Sequence, residues 1–251
     1  MKVTCFILKK LFFYLSGFIF LLGVNMSANA TADNQVRASY IQLTAQSGKE
    51  TDLADFLGVG AQLVSDTEPE TLLWSALQSQ DKKTLVIFDT FGSQAAQDAH
   101  FSGKIPEALS SKAHDLVQGG WNKGVVPNIN NADIIAFKTT PDAVSNVKIA
   151  TFIPLTAKAG QEENLANFLK QGAQIVKDNE PDTLHWFAIH FGQNKFGIVD
   201  FFPNQAAVDH HFAGGVAQAM QQHAATLVEG GWENGVVAGI QAFSVIEFIK
   251  R

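Results

Sequence analysis

Residues 38–74 read ASYIQLTAQSGKETDLADFLGVGAQLVSDTEPETLLW and residues 150–186 read ATFIPLTAKAGQEENLANFLKQGAQIVKDNEPDTLHW, with 21 of the 37 aligned positions identical. The offset of 112 drops to 111 after a one-residue deletion, and Asp89–Val126 then lies over Asp200–Val237 with 19 identities in 38 positions. Low-complexity sequence does not produce agreement of this kind. The chain therefore reads as two copies of one unit, an organisation that has to be found before single elements are assigned. The copies span 38–138 and 147–250, joined by the short polar linker 139–146, TTPDAVSN.

Each copy carries the same succession of patterns. An alternating or apolar run opens it, Ser39–Ala45 in the first and Lys148–Ala157 in the second. Leu53, Phe56, Leu57, Gly60 and Val64 then recur at i, i+3, i+4, i+7 and i+11, matched by Leu165, Phe168, Leu169, Gly172 and Val176, which is the spacing of an amphipathic helix. Glu68-Pro69 and Glu180-Pro181 end that helix, because proline disfavours helical backbone in the residue before it. Two strands follow, Thr71–Gln78 and Thr84–Phe91, with counterparts at Thr183–Phe191 and Lys195–Phe202. Helical segments at Ser93–Phe101 and Ile105–Gln118 lead into a shared Gly-Gly-Trp-x-x-Gly-Val-Val loop, and a last strand closes each unit at Asp133–Lys138 and Ala242–Ile249.

The order β-α-β-β-α-β is that of a split βαβ, ferredoxin-like unit, an α+β class. Such a unit sets helices on one face of a four-stranded sheet and leaves the other face apolar. Leu85-Val86-Ile87-Phe88 and Phe196-Gly197-Ile198-Val199 are apolar on both strand faces, as in a sheet buried on both sides. The expected fold is two ferredoxin-like repeats packed sheet to sheet, a pseudo-dimer within one chain.

Lys2, Lys9 and Lys10 precede an apolar run from Leu11 to Val24, and Ala28-Asn29-Ala30 supplies the small-x-small pattern of a cleavage site. The run is shorter than the roughly 20 residues that span a bilayer, so residues 1–30 read as a secretory signal peptide and the protein as periplasmic or secreted. The single cysteine, Cys5, falls in that segment, as do three of the 18 basic residues; against 24 acidic residues the mature chain sits near −9. Across the full sequence 46% of residues are hydrophobic and 17% charged; with an acidic balance and no thiol in the mature chain, this excludes thiol redox chemistry, Cys-ligated metal centres, disorder and a nucleic-acid partner.

Three motifs recur in both copies: Gly-x-Glu (48–50 and 160–162), Glu-Pro-x-Thr-Leu (68–72 and 180–184) and Asp-x-Phe-x-x-Gln-Ala-Ala-x-Asp-x-His-Phe (89–101 and 200–212). In these the chain resembles the antibiotic biosynthesis monooxygenase family of dimeric α/β barrels, over about nine tenths of the mature sequence. The resemblance implies a homodimer-like barrel built from one chain and, among the activities of that superfamily, cofactor-independent oxygenation of quinols or anthrones. The family commonly shows Glu where this chain has Asp89 and Asp200.

Such chemistry needs a base, an apolar pocket for a flat aromatic and access for dioxygen. His100 and His211 occupy equivalent positions and are the candidate bases, since imidazole titrates near neutrality; packing over a neighbouring strand is the competing structural role. Asp89 and Asp200 follow apolar triplets and are candidate orienting carboxylates. Trp74 and Trp186, mid-strand, and Trp121 and Trp232, in the Gly-Gly-Trp loops, are candidate pocket walls or simply core and plug. The second copy alone carries His185, a further candidate for substrate binding, along with His190, His210 and His223. No chelating i, i+2 strand pair or i, i+4 helix pair of histidines is present, so neither a metal nor another cofactor is expected. The expected partners are a small aromatic such as a quinol and dioxygen, and the expected function is an exported, cofactor-independent monooxygenase-like protein. Two alternatives stand beside it: a non-catalytic module that holds a hydrophobic small molecule, and a structural barrel filled by its own phenylalanines.

Overall fold

The structure, a computed structural model, describes residues 35–251; the signal segment expected at 1–30 lies outside the described residues. The first half runs β1 (Arg37–Thr44), α1 (Glu50–Thr67), β2 (Thr71–Ser79), β3 (Thr84–Phe91), α2 (Gln94–Phe101), α3 (Lys104–Leu116) and β4 (Ile129–Thr139). The second runs β5 (Ile149–Thr156), α4 (Glu162–Asn179), β6 (His185–Gly192), β7 (Lys195–Phe202), α5 (Gln205–Ala213), α6 (Gly215–Leu227) and β8 (Gln241–Lys250). All strand pairs are antiparallel and close into one barrel in the order β1-β3-β2-β8-β5-β7-β6-β4.

The two apolar sheet faces enclose each other, and the sheets also join edge to edge. β4 pairs with β1 of its own half from Ile41↔Ile129 to Arg37↔Asp133, then with β6 of the other half from Asp133↔His190 to Thr139↔His185. β8 does the reciprocal, pairing with β5 and then with β2 up to Leu73↔Lys250. Because β4 serves two sheets in succession, it begins at Ile129, ahead of the expected start at Asp133. The linker differs from its polar reading too: Ala143 is buried against the barrel interior and Val144 packs beside it, partly buried.

Strand alternation sorts the side chains into layers. Tyr40, Leu77, Phe88, Phe152, Phe187 and Phe201 point into the barrel and fill it. Trp74, Leu85 and Ile87 point outward beneath Leu53, Leu57 and Val64 of α1 and Leu109 of α3, and Trp186, Phe196 and Ile198 do the same beneath α4 and α6. Gly60 recurs as Gly172 where each helix crosses its tryptophan: a Cβ on Gly60 would touch the Trp74 ring at 3.4 Å, an ordinary contact, whereas one on Gly172 would press on Val216 at 3.1 Å.

Candidate functional site

Asp89 lies on the outer face of β3 between its lateral neighbours Trp74 and Ser39, and Asp200 lies likewise on β7 between Trp186 and Thr151. Both are fully buried. The histidines reach them from α2 and α5, short helices whose starts are set by Ser93 and Asn204. Each cap accepts a hydrogen bond from a backbone amide, of Ala96 at 3.1 Å and Ala207 at 3.0 Å, satisfying one of the free amides of a first helical turn. His100 and His211 then fall in the last turn of their helices and point inward, 4% and 3% exposed, each between two phenylalanine rings.

Nδ1 of His211 lies 2.5 Å from Oε2 of Glu180, and Nδ1 of His100 lies 2.6 Å from Oε2 of Glu68. At these distances Nδ1–H donates to the carboxylate, a charge-assisted bond of the strong kind. Nε2 faces the aspartate, 3.4 Å from Oδ2 of Asp89 and 3.7 Å from Oδ2 of Asp200. The longer of these is outside hydrogen-bonding range, so Nε2 of His211 has no hydrogen bond to the aspartate while the glutamate orients the ring. Each half thus holds a buried Glu–His–Asp cluster.

The electrostatics follow from this packing. Burial works against the imidazolium, but the charge of the aspartate and then the bond to the glutamate outweigh it, and both histidines are held above their ordinary value. Burial pushes each aspartate up to about 6, against the pull of its histidine and of Ser39 or Thr151. Thr151 donates to Oδ2 of Asp200 at 2.8 Å.

Glu68 and Glu180 read in the sequence only as residues before a helix-ending proline. In the structure each is the C-cap residue of its helix, and Thr71 and Thr183 donate back to the same carboxylate at 3.0 and 3.1 Å. Glu-Pro-x-Thr is therefore a device that ends a helix and aims an acid, and its recurrence in both copies is the signal that could have found it. Lys138, also unanticipated, comes from β4 of the first half and donates its buried ammonium to the carbonyls of Glu180 and Thr183. One half braces the backbone that carries the carboxylate of the other.

Gly103 and Gly214 explain a further recurrence. A Cβ on Gly214 would lie 2.7 Å from Oε1 of Glu180, and one on Gly103 3.2 Å from Oε1 of Glu68. Gly214→Ala is expected to lower unfolding free energy by about 1–3 kcal/mol through this overpacking, and Gly103→Ala by less. Urea denaturation of the two variants checks the order.

In the second half His211, Trp186 and Trp232 line one apolar cavity between sheet and helices, together with Phe168, Val216 and Met220. It holds about 430 Å³ of unfilled space out to its mouth, of which about 30 Å³ is wide enough for a water molecule. In the first half the corresponding residues are apart: His100 and Trp121 line one cavity of about 310 Å³, and Trp74 lines another of about 500 Å³, of which about 140 Å³ is wide enough for water, more than in the second half. Trp232 and Trp121 sit on tight π-helical turns, in which a Cβ on Gly235 or Gly124 would run into the carbonyl oxygen of Glu229 or Gln118 at 2.0 or 2.1 Å. The turn is wound too closely for a loose lid. His185 is not brought to this site: it lies at the barrel interior, stacked on Phe248 with centroids 5.0 Å apart and bonded through Nε2 to the Ala143 carbonyl, and burial pushes it down to about 4. Among the described residues no group of three His, Cys, Asp or Glu side chains could hold a metal ion, and no helix is long and apolar enough to cross a membrane.

No protein-family model matches the sequence, and no curated protein matches it. Solved structures do. A candidate monooxygenase of Fusobacterium nucleatum superposes with a TM-score of 0.72 at 13% identity, covering 86% of this chain and 95% of that one. The fold is monooxygenase-like. A candidate monooxygenase of Lactobacillus acidophilus gives a TM-score of 0.68 at 11% identity, covering 86% of this chain and 96% of its own. An anthrone oxidase-like protein gives 0.58 at 8%, covering 87% and 94%. At these identities the likeness concerns the fold, so the chemistry of this monooxygenase-like barrel has to be argued from its own residues.

Proposed function

We propose that the barrel is a cofactor-independent oxygenase of small flat phenols such as quinols, with His211 as its base. The observation that carries the reading is that one apolar, aromatic-walled cavity is lined by a buried histidine whose Nδ1 is held by Glu180 and whose Nε2 is outside hydrogen-bonding range of Asp200. In this reading Nε2 takes the phenolic proton, and Glu180 and Asp200 stabilise the imidazolium that forms, as the acid of a triad stabilises its histidine. The resulting anion is electron-rich enough to reduce dioxygen directly. One oxygen atom ends in the product and the other leaves as water, and the substrate supplies all the electrons, so no external reductant is needed. Trp186 and Trp232 hold the ring between them.

Oxygen uptake with a panel of quinols tests this. Because the histidine must be neutral to act, and is held above its ordinary value of 6.5, the rate is expected to rise with pH with a midpoint above 6.5. A flat profile from pH 6 to 9, or no uptake above the autoxidation background, would falsify the catalytic claim. The narrowness of the cavity favours a second reading, retention of a hydrophobic molecule without turnover. Native mass spectrometry separates the two, since a ligand that co-purifies and is never converted supports binding alone. We also read the protein as exported, on the pattern of residues 1–30; a periplasmic fraction whose mature chain begins at Thr31 is the expected finding.

A further inference from the structure

We infer that the first half carries a small-molecule site of its own, the cavity over Trp74, which takes an uncharged apolar molecule about the size of one aromatic ring and holds it without acting on it. The site is a different cavity from the one at His211 and stands whether or not a quinol is oxidised there. It lies between the sheet and helices α1 and α3, with the buried Trp74 ring and Ile87 as its floor and Phe56, Leu63, Ile105 and Leu109 around it. About 140 Å³ of it is wide enough for water, within about 500 Å³ of unfilled space out to its mouth. An engineered protein cavity of about 150 Å³ lined by Leu, Ile and Phe stays dry and takes up benzene. The volumes match, and so do the walls.

Every lining side chain is apolar, and the one polar group among them is the indole N–H of Trp74, which is buried with no hydrogen-bond partner among the described residues. A water molecule inside would find at most that single side-chain donor, short of the two to four partners that hold buried water. No acid or base lines the cavity, because His100 borders the neighbouring space with Trp121 instead. An ionised ligand would lie there without a counter-charge, which is costly, and a neutral one meets nothing that could take its proton. The way in is apolar as well. Val59 lines the cavity yet is 72% exposed, the most exposed large hydrophobic side chain among the described residues, and so marks the mouth. The second copy has Gln171 at this position. A molecule that fills the cavity to its rim would cover Val59, which folding alone leaves in water.

Fluorobenzene, followed by fluorine NMR, is the probe. A bound resonance is expected in wild type, with 4-fluorobenzoate held about tenfold or more weakly because its charge has no partner in the cavity. Ala108→Leu on α3 and Leu63→Phe on α1 each enlarge a half-buried lining side chain, and each should weaken fluorobenzene binding by about tenfold. The two act from different helices, so a folding defect in one leaves the other as the test. Ala217→Leu makes the same kind of change in the His211 cavity and should leave this resonance as it is. No bound resonance in wild type, one that survives both Ala108→Leu and Leu63→Phe, one lost in Ala217→Leu instead, or 4-fluorobenzoate bound as tightly as fluorobenzene overturns the inference. Fluorobenzene bound in the expected pattern with no quinol-dependent oxygen uptake overturns the reaction proposed at His211 and leaves this site standing.

Discussion

His211→Ala is expected to reduce quinol-dependent oxygen uptake by about 10²–10⁴-fold, the usual contribution of a positioned general base. The same change leaves two buried carboxylates, Glu180 and Asp200, whose oxygens lie 2.5 and 3.7 Å from its ring nitrogens, without their imidazole partner. Breaking a buried pair by deleting one partner costs roughly 3–5 kcal/mol, because the remaining charge is left without compensation. The loss of stability and the loss of rate have to be separated. Adding Glu180→Gln to His211→Ala removes one orphaned charge, so stability should partly return in urea titrations while activity does not. His100→Ala should show the stability loss without the loss of rate, since His100 and Trp74 line separate cavities whereas His211 and Trp186 line one. Equal rate losses in the two alanine variants would contradict the assignment of the chemistry to the second half.

Stability is expected to fall as pH rises from about 4 to above 6.5, the reverse of the common behaviour in which ion-paired carboxylates stabilise a fold as they ionise. Asp89 and Asp200 ionise near 3.8 when exposed and near 6 in the folded protein. The folded state therefore binds more protons between those values, and stability present below 3.8 is lost as pH climbs through 6. Each carboxyl contributes on the order of 3 kcal/mol at the conversion of about 1.36 kcal/mol per pKa unit. His100 and His211 act in the same direction: their contribution is complete below 6.5 and is lost as pH passes their raised folded value. Thermal melts at pH 5 and pH 8 should show the higher Tm at pH 5, and Asp89→Asn/Asp200→Asn should flatten the dependence below 6.5. A Tm that rises from pH 5 to pH 8 in wild type would remove this account.

The architecture is legible in the sequence because it depends on periodicity. Alternation in β3 and β7 and the i, i+3, i+4 spacing of α1 and α4 are written into the order of apolar residues, and recurrence at an offset of 111 or 112 supplies each reading twice. The candidate site is legible only in part. Recurrence singles out His100, His211, Asp89 and Asp200, and the structure sets each histidine beside its aspartate, an approach no spacing specifies. Glu68 and Glu180 escape because a glutamate before a proline has a sufficient local explanation, and its side chain acts on a residue about thirty positions away. Lys138 escapes because its target lies in the other copy. His185 misleads because its presence in one copy alone draws attention, whereas the start of β6 turns it toward the barrel interior.

The exchange of β4 and β8 between halves has a consequence for the order in which the protein can be made. The first half cannot close when its own residues have been synthesised, because β4 awaits β6 and β2 awaits β8, the strand that runs to Lys250. Until then its inner sheet face, with Phe88 and Tyr40, has nothing to lie against. The first half should therefore stay open and aggregation-prone until β6 and β8 are available, and then close in one step that commits both halves together.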